Sequence, residues 1–280
     1  MGATYIAEML NENKTITVLE LNSNKIQDKG IENLADVIIK NNTLKTLSLT
    51  SNPSVLSVAL ETFVTVRHNK ELKWLQICGK HIGIIGAKYI SLSLQENTTL
   101  TELDLTYCNI GEEGMKYIAD ALNYNKVLSK ICLVRNQLGN AGVQYLADAL
   151  QQYPTLVRLN LQGNGIDGQG AQYLANILET NIVLEELHLD DNRIGEQGAK
   201  HLADGLIKSK NLKNLYLDEN EITDGKAISA IVTFRDTTMT TLKLRGNEIG
   251  PSGTKYLIDA QQNRTTPIEL EINGKHIEEI

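Results

Sequence analysis

The chain has 280 residues, of which 27 are Lys or Arg and 34 are Asp or Glu, so its formal charge is −7. This acidic balance argues against a protein that binds nucleic acid or an anionic membrane surface. The sequence has no apolar run of the roughly 18 residues that a transmembrane helix needs, and its first residues, MGATYIAEML, lack the basic segment and cleavage site of a signal peptide.

The chain begins with half of a repeating unit, residues 2–15, which has apolar residues at helical spacing. Ten strand-bearing units of about 28 residues follow it. The first apolar residue of the predicted strand stands at positions 19, 47, 75, 103, 131, 159, 187, 215, 242 and 270. In most units an L-x-L segment precedes Asn, then Ile or Leu, then Gly, as in Leu159, Leu161, Asn164, Ile166 and Gly170. A fixed period of this length predicts a solenoid in which each unit packs on the next.

Each unit predicts one strand and one helix. The L-x-L segment alternates apolar and other residues, which is typical of a short strand with its leucines turned inward. After the glycine, apolar residues recur at helical spacing, as at Leu146, Ala147 and Leu150. An asparagine then recurs where the helix should end, and we expect it to adopt left-handed backbone geometry there. It stands at positions 13, 41, 69, 97, 125 and 181.

Some units depart from the pattern. The second has Pro53 in its turn and no glycine after it, and the eighth is one residue short. Lys80 and Lys275 replace the repeat asparagine, and we expect looser turns there. Cys108 stands in the same position and is expected to be a structural substitute, because a small buried thiol suits it. The three cysteines lack the C-x-x-C spacing of a metal site, which indicates free thiols in a reducing cytosol.

These motifs resemble the ribonuclease-inhibitor-like class of leucine-rich repeats, in which every repeat carries a helix. The class includes innate-immune receptor sensor domains and Ran GTPase-activating protein, and similar modules occur among effectors of intracellular bacteria. The resemblance implies an α/β leucine-rich-repeat solenoid shaped as a horseshoe, with a parallel sheet on the concave face and helices on the convex face. We therefore expect a single domain over residues 1–280, with one continuous curved sheet. Since neither end carries a clear polar cap, we also expect the chain to be the repeat portion of a longer protein.

The stretch LEELHLDDNRIG, residues 184–195, contains the residue types of a hydrolase or a metal site. In repeat register, however, Asn192 is the repeat asparagine, and His188 and Asp190 are outward residues of one strand, about 7 Å apart. A catalytic triad would need a nucleophile and an orienting third group, and the flanking strands offer no obvious one. A metal site that includes Asp218 is a minor alternative. We expect no catalytic residue, no cofactor and no metal.

The positions that flank the two leucines of each strand are not dictated by the fold, so binding to a partner could select them. From residue 158 onward they mix aromatic residues with both signs of charge, as protein-interaction hot spots do. We predict a partner-binding surface on this face and its rim, formed by Trp74, Tyr107, Arg135, Arg158, His188, Asp190, Tyr216, Asp218, Lys243 and Arg245. The alternative interpretation is that any soluble sheet must expose polar residues.

The first hypothesis for function is a non-enzymatic module that binds another protein through the concave face, and no nucleic acid, membrane or small-molecule substrate. It would be part of a larger receptor, regulator or bacterial effector, and would act in the cytoplasm, or in the host cytosol for an effector. The alternative, implied by the resemblance, is a GTPase activator similar to Ran GTPase-activating protein, with Arg135 and Arg158 as candidate contacts by position alone. No diagnostic motif beyond the shared repeat matches, and the strongly acidic tail of that family is missing. A ribonuclease inhibitor proper is disfavoured, since that protein is rich in cysteine.

Overall fold

The computed structural model describes residues 2–151, 155–181, 183–209, 211–233, 238–264 and 266–276. Helices and short strands alternate along them. The helices are α1 (Gly2–Glu12), α2 (Asp28–Ile38), α3 (Leu56–His68), α4 (Gly83–Glu96), α5 (Gly111–Leu122), α6 (Gly139–Leu150), α7 (Gly168–Thr180), α8 (Gly195–Lys208), α9 (Lys226–Thr233) and α10 (Pro251–Gln262). The strands are β1 (Val18–Glu20), β2 (Thr46–Ser48), β3 (Trp74–Gln76), β4 (Glu102–Asp104), β5 (Lys130–Cys132), β6 (Arg158–Asn160), β7 (Glu186–His188), β8 (Asn214–Tyr216), β9 (Thr241–Leu244), β10 (Glu269–Ile272) and β11 (Lys275–His276). In these ranges no helix combines the length and the hydropathy needed to cross a bilayer.

Strands β3 to β10 pair in parallel and in chain order, and β11 adds antiparallel to β10. The strand leucines lie side by side, so that Leu159 pairs with Ile131 on one side and with Leu187 on the other. Because side chains alternate along a strand, one face of the sheet carries the buried leucines and packs on the helices. The short eighth unit is confirmed, since Asn214 pairs with Thr241. This arrangement confirms the predicted α/β solenoid.

The prediction of one continuous sheet is wrong at one place. Strands β1 and β2 form a separate two-stranded sheet, and β2 does not pair with β3. Helix α3 lies close to the free side of β2, and its consecutive residues Thr62, Phe63 and Val64 are all buried, which a helix packed by one face alone would not show. From α3, the Glu61 carboxylate accepts the N–H of Leu49. In a continuous sheet that N–H would donate to the next strand.

The repeat asparagine connects adjacent units from a buried position. Asn164 donates from Nδ2 to the carbonyl oxygens of Leu133, in the preceding unit, and Leu161, in its own. Its Oδ1 accepts the N–H of Asn136, the repeat asparagine of the unit before. One side chain therefore connects backbone groups of two adjacent turns in the interior.

Of the three residues that replace this asparagine, Cys108 and Lys80 do so with different consequences. Cys108 is fully buried and donates its thiol to the carbonyl oxygen of Ile77 at 3.2 Å, so it acts as the predicted structural substitute. Burial raises the pKa of this thiol to about 12, which keeps it protonated and able to donate. Lys80 is exposed instead, and an ammonium group cannot accept a hydrogen bond from the turn of the second unit.

The helix-ending asparagines do not have the predicted left-handed geometry. Asn69, Asn97 and Asn181 have φ between −79° and −83° with extended ψ, and none of the six belongs to the residues with positive φ. Their side chains end the helices through local turns instead. Asn97 Oδ1, for example, accepts the N–H groups of Thr99 and Leu100. Such a turn needs only an ordinary backbone conformation, so the left-handed prediction is wrong.

Candidate functional site

His188 is the centre of a cluster on β6 to β8, which we call the histidine cluster: Arg158, Glu186, His188, Asp190 and Tyr216. His188 Nε2 lies 2.6 Å from Glu186 Oε1, and its ring stacks on Tyr216 with 4.1 Å between centroids and 1° between planes. Arg158 Nη2 lies 3.2 Å from the same Glu186 oxygen. On the other side, His188 Nδ1 is 3.8 Å from Asp190 Oδ2.

The side chains of this cluster pack closely against one another. Only 14% of the His188 side chain is exposed, because Tyr216 covers its face and carboxylates flank both ring nitrogens. Burial, followed by the nearby charge of Glu186, raises the pKa of Tyr216 above its ordinary value, so the phenol stays protonated. The part of the chain that the structure describes holds no group of three His, Cys, Asp or Glu side chains arranged for a metal ion. The cluster therefore offers a fixed aromatic and charged surface.

The strands beside the cluster carry further carboxylates, which accept hydrogen bonds from backbone N–H groups. Asp190 Oδ1 accepts the N–H of Asp218 at 3.1 Å, and Asp218 Oδ1 accepts the N–H of Arg245 at 2.7 Å. Burial, together with the like charges of Asp190 and Glu271, raises the pKa of Asp218. The ionised form of this carboxylate is therefore less stable than that of an exposed aspartate.

Lys243 lies between two carboxylates on β10. Its Nζ contacts Glu269 and lies 3.2 Å from Glu271 Oε2, and only 16% of its side chain is exposed. Burial by itself lowers the pKa of Lys243, but hydrogen bonds to these two carboxylates outweigh burial and raise it. Lys243 is thus paired with carboxylates of its own chain, whereas Arg245, two residues further along, is exposed.

Trp74 lies apart from the histidine cluster, on the strand at the free end of the nine-stranded sheet. More than half of it, 54%, is exposed. It borders a pocket of about 150 Å³, which Glu102, Asp104, Lys130 and Arg158 also line. Lys130 Nζ pairs with Glu102 Oε1 at 2.6 Å, so the pocket walls are partly fixed.

Asp104 in this pocket has a different environment from Asp218. Burial by itself raises the pKa of Asp104, but hydrogen bonds from Thr106, Gln76 and Cys132 outweigh burial and lower it. Gln76 Nε2 donates to Asp104 Oδ2 at 2.9 Å, and the Thr106 N–H donates to Oδ1 at the same distance. The carboxylate is therefore stabilised in its ionised form.

Tyr107 and Arg135 lie on the rim, where the chain turns from a strand towards a helix. Both have positive φ, 55° and 52°, in the position just before the repeat asparagine. Arg135 Nη2 lies 2.5 Å from Asp191 Oδ2, two units further along, and its guanidinium lies 5.7 Å from the centroid of the Tyr107 ring. A groove of about 750 Å³, which we call the rim groove, runs past these residues to Gly246 and Glu248.

The structure thus brings most of the predicted surface together, whereas Trp74 lies on β3 and Tyr107 and Arg135 lie on the rim. Seven of the ten predicted residues lie on β6 to β9 and the turns that follow these strands, and they are Arg158, His188, Asp190, Tyr216, Asp218, Lys243 and Arg245. The predicted partner-binding residues do not include Glu186, although it lies two residues from His188 on the same strand face and orients both His188 and Arg158. They also omit Gly163, a glycine at a turn position that carries long side chains in neighbouring units.

The two arginines of the GTPase-activator alternative are both paired within the chain, Arg135 with Asp191 and Arg158 with Glu186. These pairs are surface ion pairs, so they are weak enough to be exchanged for a partner. The alternative stays a prediction of the sequence resemblance.

A family model described as Leucine Rich repeat matches residues 12–35, 96–119, 154–175, 180–203 and 235–257. The chain therefore contains leucine-rich repeats, while the ribonuclease-inhibitor-like subclass stays a prediction. Among solved structures, the chain is similar to "Leiomodin-1 Actin-Binding Site 2 (ABS2)", with 19% identity, a TM-score of 0.43, and coverage of 56% of this chain and 92% of that chain. A likeness of this degree carries no functional information. No curated protein matches the sequence significantly.

Proposed function

We propose that this chain of leucine-rich repeats is a non-enzymatic interaction module that binds a partner protein through the concave face of β3 to β10. The observation that carries the proposal is the histidine cluster, in which the stacked His188 and Tyr216 rings are fixed by Glu186 and Arg158. Aromatic and arginine side chains supply most of the energy in protein interfaces. Side chains that are already ordered lose little entropy on binding, so a partner gains more net affinity from them.

The two ends of the proposed surface are far enough apart to contact different parts of one partner. Trp74 on β3 and Tyr216 on β8 are separated by five strand intervals, which is about 24 Å at roughly 4.8 Å per interval. The Trp74 pocket would then receive a side chain at one end, and the histidine cluster would lie under the other.

The test is capture of a partner by the folded chain and by two variants of it. The concave variant carries Trp74→Ala, Tyr216→Ala and Arg245→Ala. The control carries Tyr117→Ala and Tyr124→Ala, which remove two aromatic side chains that are 37% and 68% exposed, on α5 and just after it. Captured proteins are identified by mass spectrometry, and each candidate is then purified and titrated against all three chains.

We expect the concave variant to lose at least a hundredfold in affinity, because two interface hot spots together contribute about 4 kcal/mol. The control should bind as the wild type does. Circular dichroism and thermal unfolding must show that both variants are folded. Equal affinity of the concave variant and the wild type for every purified partner would overturn the assignment of this face.

A further inference from the structure

The rim groove is distinct from the concave face and is built on the turns that follow the strands. Its length is set by the turns of six successive units, from Tyr107 to Gly246, which are separated by five intervals. At about 4.8 Å per unit, this is about 24 Å, the length of an extended segment of about seven residues at roughly 3.3 Å each. The groove therefore has the length of a short peptide.

The groove is deeper at the turns where glycine stands in place of a residue with a side chain. The position before the repeat asparagine is left-handed in each of these units, and it is occupied in turn by Tyr107, Arg135, Gly163, Asp191, Glu219 and Gly246. A Cβ at Gly163 would lie 2.6 Å from Arg135 Cγ, so only glycine lets the Arg135 side chain pass over this turn. At Gly246 the Glu219 carboxylate lies where a Cβ would be.

The chain shows how this groove holds a guanidinium group, because Arg135 lies in it. The Arg135 side chain crosses Gly163 and pairs with Asp191, with its guanidinium over the Tyr107 ring. A planar guanidinium suits such a site, since it stacks on aromatic faces and forms directed bonds to carboxylates. An ammonium group offers a point charge without a plane to stack.

The remainder of the groove presents more carboxylates than cations. Glu219, Glu221 and Glu248 line it, and none of them has an ion-pair partner within the described ranges. Arg193 is the cation that lines the same part of the groove. With Arg135 and Asp191 neutralising each other, the lining keeps an excess of two negative charges.

We infer that the rim groove docks an extended, arginine-bearing segment of a protein partner. The inference rests on the proposed function, because it names the chemistry of part of the partner. Glu219 and Glu248 would bind the guanidinium groups, as Asp191 binds that of Arg135. The open floor at Gly165, where an added Cβ would meet no atom within 4 Å, would carry the backbone of the segment.

The probe is a fluorescein-labelled peptide of seven residues that alternates glycine and arginine, with lysine and glutamate versions as comparison. Binding is measured by fluorescence anisotropy at 0.15 M ionic strength, where long-range attraction between exposed charges is largely screened. One groove variant, Glu219→Gln with Glu248→Gln, removes charge. The other, Gly165→Gln, fills the floor without changing charge. It copies Gln137 of the preceding unit, which has φ of 57° in the same turn position.

The matched control is Glu112→Gln with Glu113→Gln, which removes the same charge from the exposed first turn of α5. We expect each groove variant to weaken binding of the arginine peptide at least tenfold and the control to stay within twofold of the wild type. The glutamate peptide should not bind, and the lysine peptide should bind more weakly than the arginine peptide. Absence of wild-type binding, an equal loss in the control, or full binding by Gly165→Gln would each overturn the inference.

The concave variant with Trp74→Ala, Tyr216→Ala and Arg245→Ala separates this inference from the proposed function. It should retain binding of the arginine peptide, because none of its three positions lines the groove. Peptide binding by the wild type without any concave-face partner would leave the groove inference standing and the proposed function refuted. A concave-face partner without peptide binding would support the proposed function and refute the groove inference.

Discussion

The two sheets of this chain are built from the same repeating unit, yet β2 and β3 do not pair. In the eight parallel strands from β3 to β10, a buried asparagine or Cys108 connects most adjacent turns. Between the second and third units this residue is Lys80, which is exposed and has no acceptor. At the same boundary, Glu61 takes the N–H of Leu49 that the next strand would receive.

The difference shows that inward leucines alone do not join two units of this solenoid. Leu47 and Leu75 have the same register position as the leucines of the joined strands, but their strands remain apart. A junction also needs acceptors for the N–H groups of the preceding turn, because an unpaired buried N–H costs free energy. At the boundary between β2 and β3 the acceptor for the turn N–H groups is missing. The Glu61 carboxylate also accepts a strand N–H that β3 would otherwise receive, and the sheet is interrupted.

The largest effect should come from removing a core leucine in the continuous sheet. Leu159→Ala, at a fully buried position, should lower the free energy of unfolding by about 2–5 kcal/mol, because it leaves a cavity. Leu19→Ala, at the equivalent but partly buried position of β1, should cost less than half as much. Urea unfolding followed by far-UV circular dichroism measures both. Equal losses would show that the two sheets are equally well packed.

The next effect compares two asparagines in the same repeat position. Asn192→Ala removes the acceptor of the N–H groups of Asn164 and Ile166 in the interior and should cost about 1–3 kcal/mol. Asn24 is exposed, and its Nδ2 donates only within its own turn, to the oxygen of Asn22. Asn24→Ala should therefore change stability by less than about 0.5 kcal/mol. A loss at Asn24 as large as that at Asn192 would contradict this role of burial.

A gain is expected where the missing acceptor is restored. Lys80→Asn places an amide oxygen beside the turn of the second unit and should stabilise the chain by about 1 kcal/mol, the usual net value of one hydrogen bond. The Asn52 N–H, which donates to the Leu49 oxygen at 3.3 Å, should then gain a second acceptor and exchange more slowly with solvent, towards the rate of Asn164, whose N–H donates to Asn192 Oδ1. Hydrogen exchange measured by NMR tests this. An unchanged exchange rate at the Asn52 amide would indicate that Glu61, and not Lys80, causes the interruption of the sheet between β2 and β3.

The smallest effect depends on pH and compares Asp218 with Asp104. Burial and like charges raise the pKa of Asp218 in the folded chain, so its ionisation opposes folding as pH rises from the unfolded value of about 3.9 through the folded pKa. Asp218→Asn should therefore stabilise the chain at pH 7, by less than about 1 kcal/mol for a partly exposed group, and have little effect near pH 3. Its amide oxygen can still accept the Arg245 N–H.

Asp104 should behave in the opposite way. Its pKa is lowered in the folded chain, so its ionisation favours folding, and this contribution is lost as pH falls from the unfolded value through the folded pKa. Asp104→Asn should destabilise the chain at pH 7 and not at pH 2. Thermal unfolding of both variants between pH 2 and pH 7 distinguishes the two signs. The same sign for both would mean that their hydrogen bonds do not set their ionisation.

The repeat pattern by itself determined the units, the strands and the helices of this protein. These features depend on the direction of side chains along one strand or one helix, and that direction recurs at fixed spacing in the sequence. For the same reason the sequence predicted which residues face outward, from Trp74 on β3 to Lys243 on β9. It also predicted the role of Cys108, because this buried position in the repeat requires a small side chain that can form a hydrogen bond.

Only the tertiary structure decided how those residues combine. The interruption at β2 depends on Glu61 reaching a strand that its own helix packs against, which no periodicity encodes. Arg135 and Asp191 are 56 positions apart, and their ion pair depends on the absence of a side chain at Gly163 between them. Ion pairs and grooves depend on distances between atoms of different units. The sequence pattern of a single unit does not predict these distances. The rim groove therefore exists only because glycines and long charged side chains meet on the same edge of the folded chain.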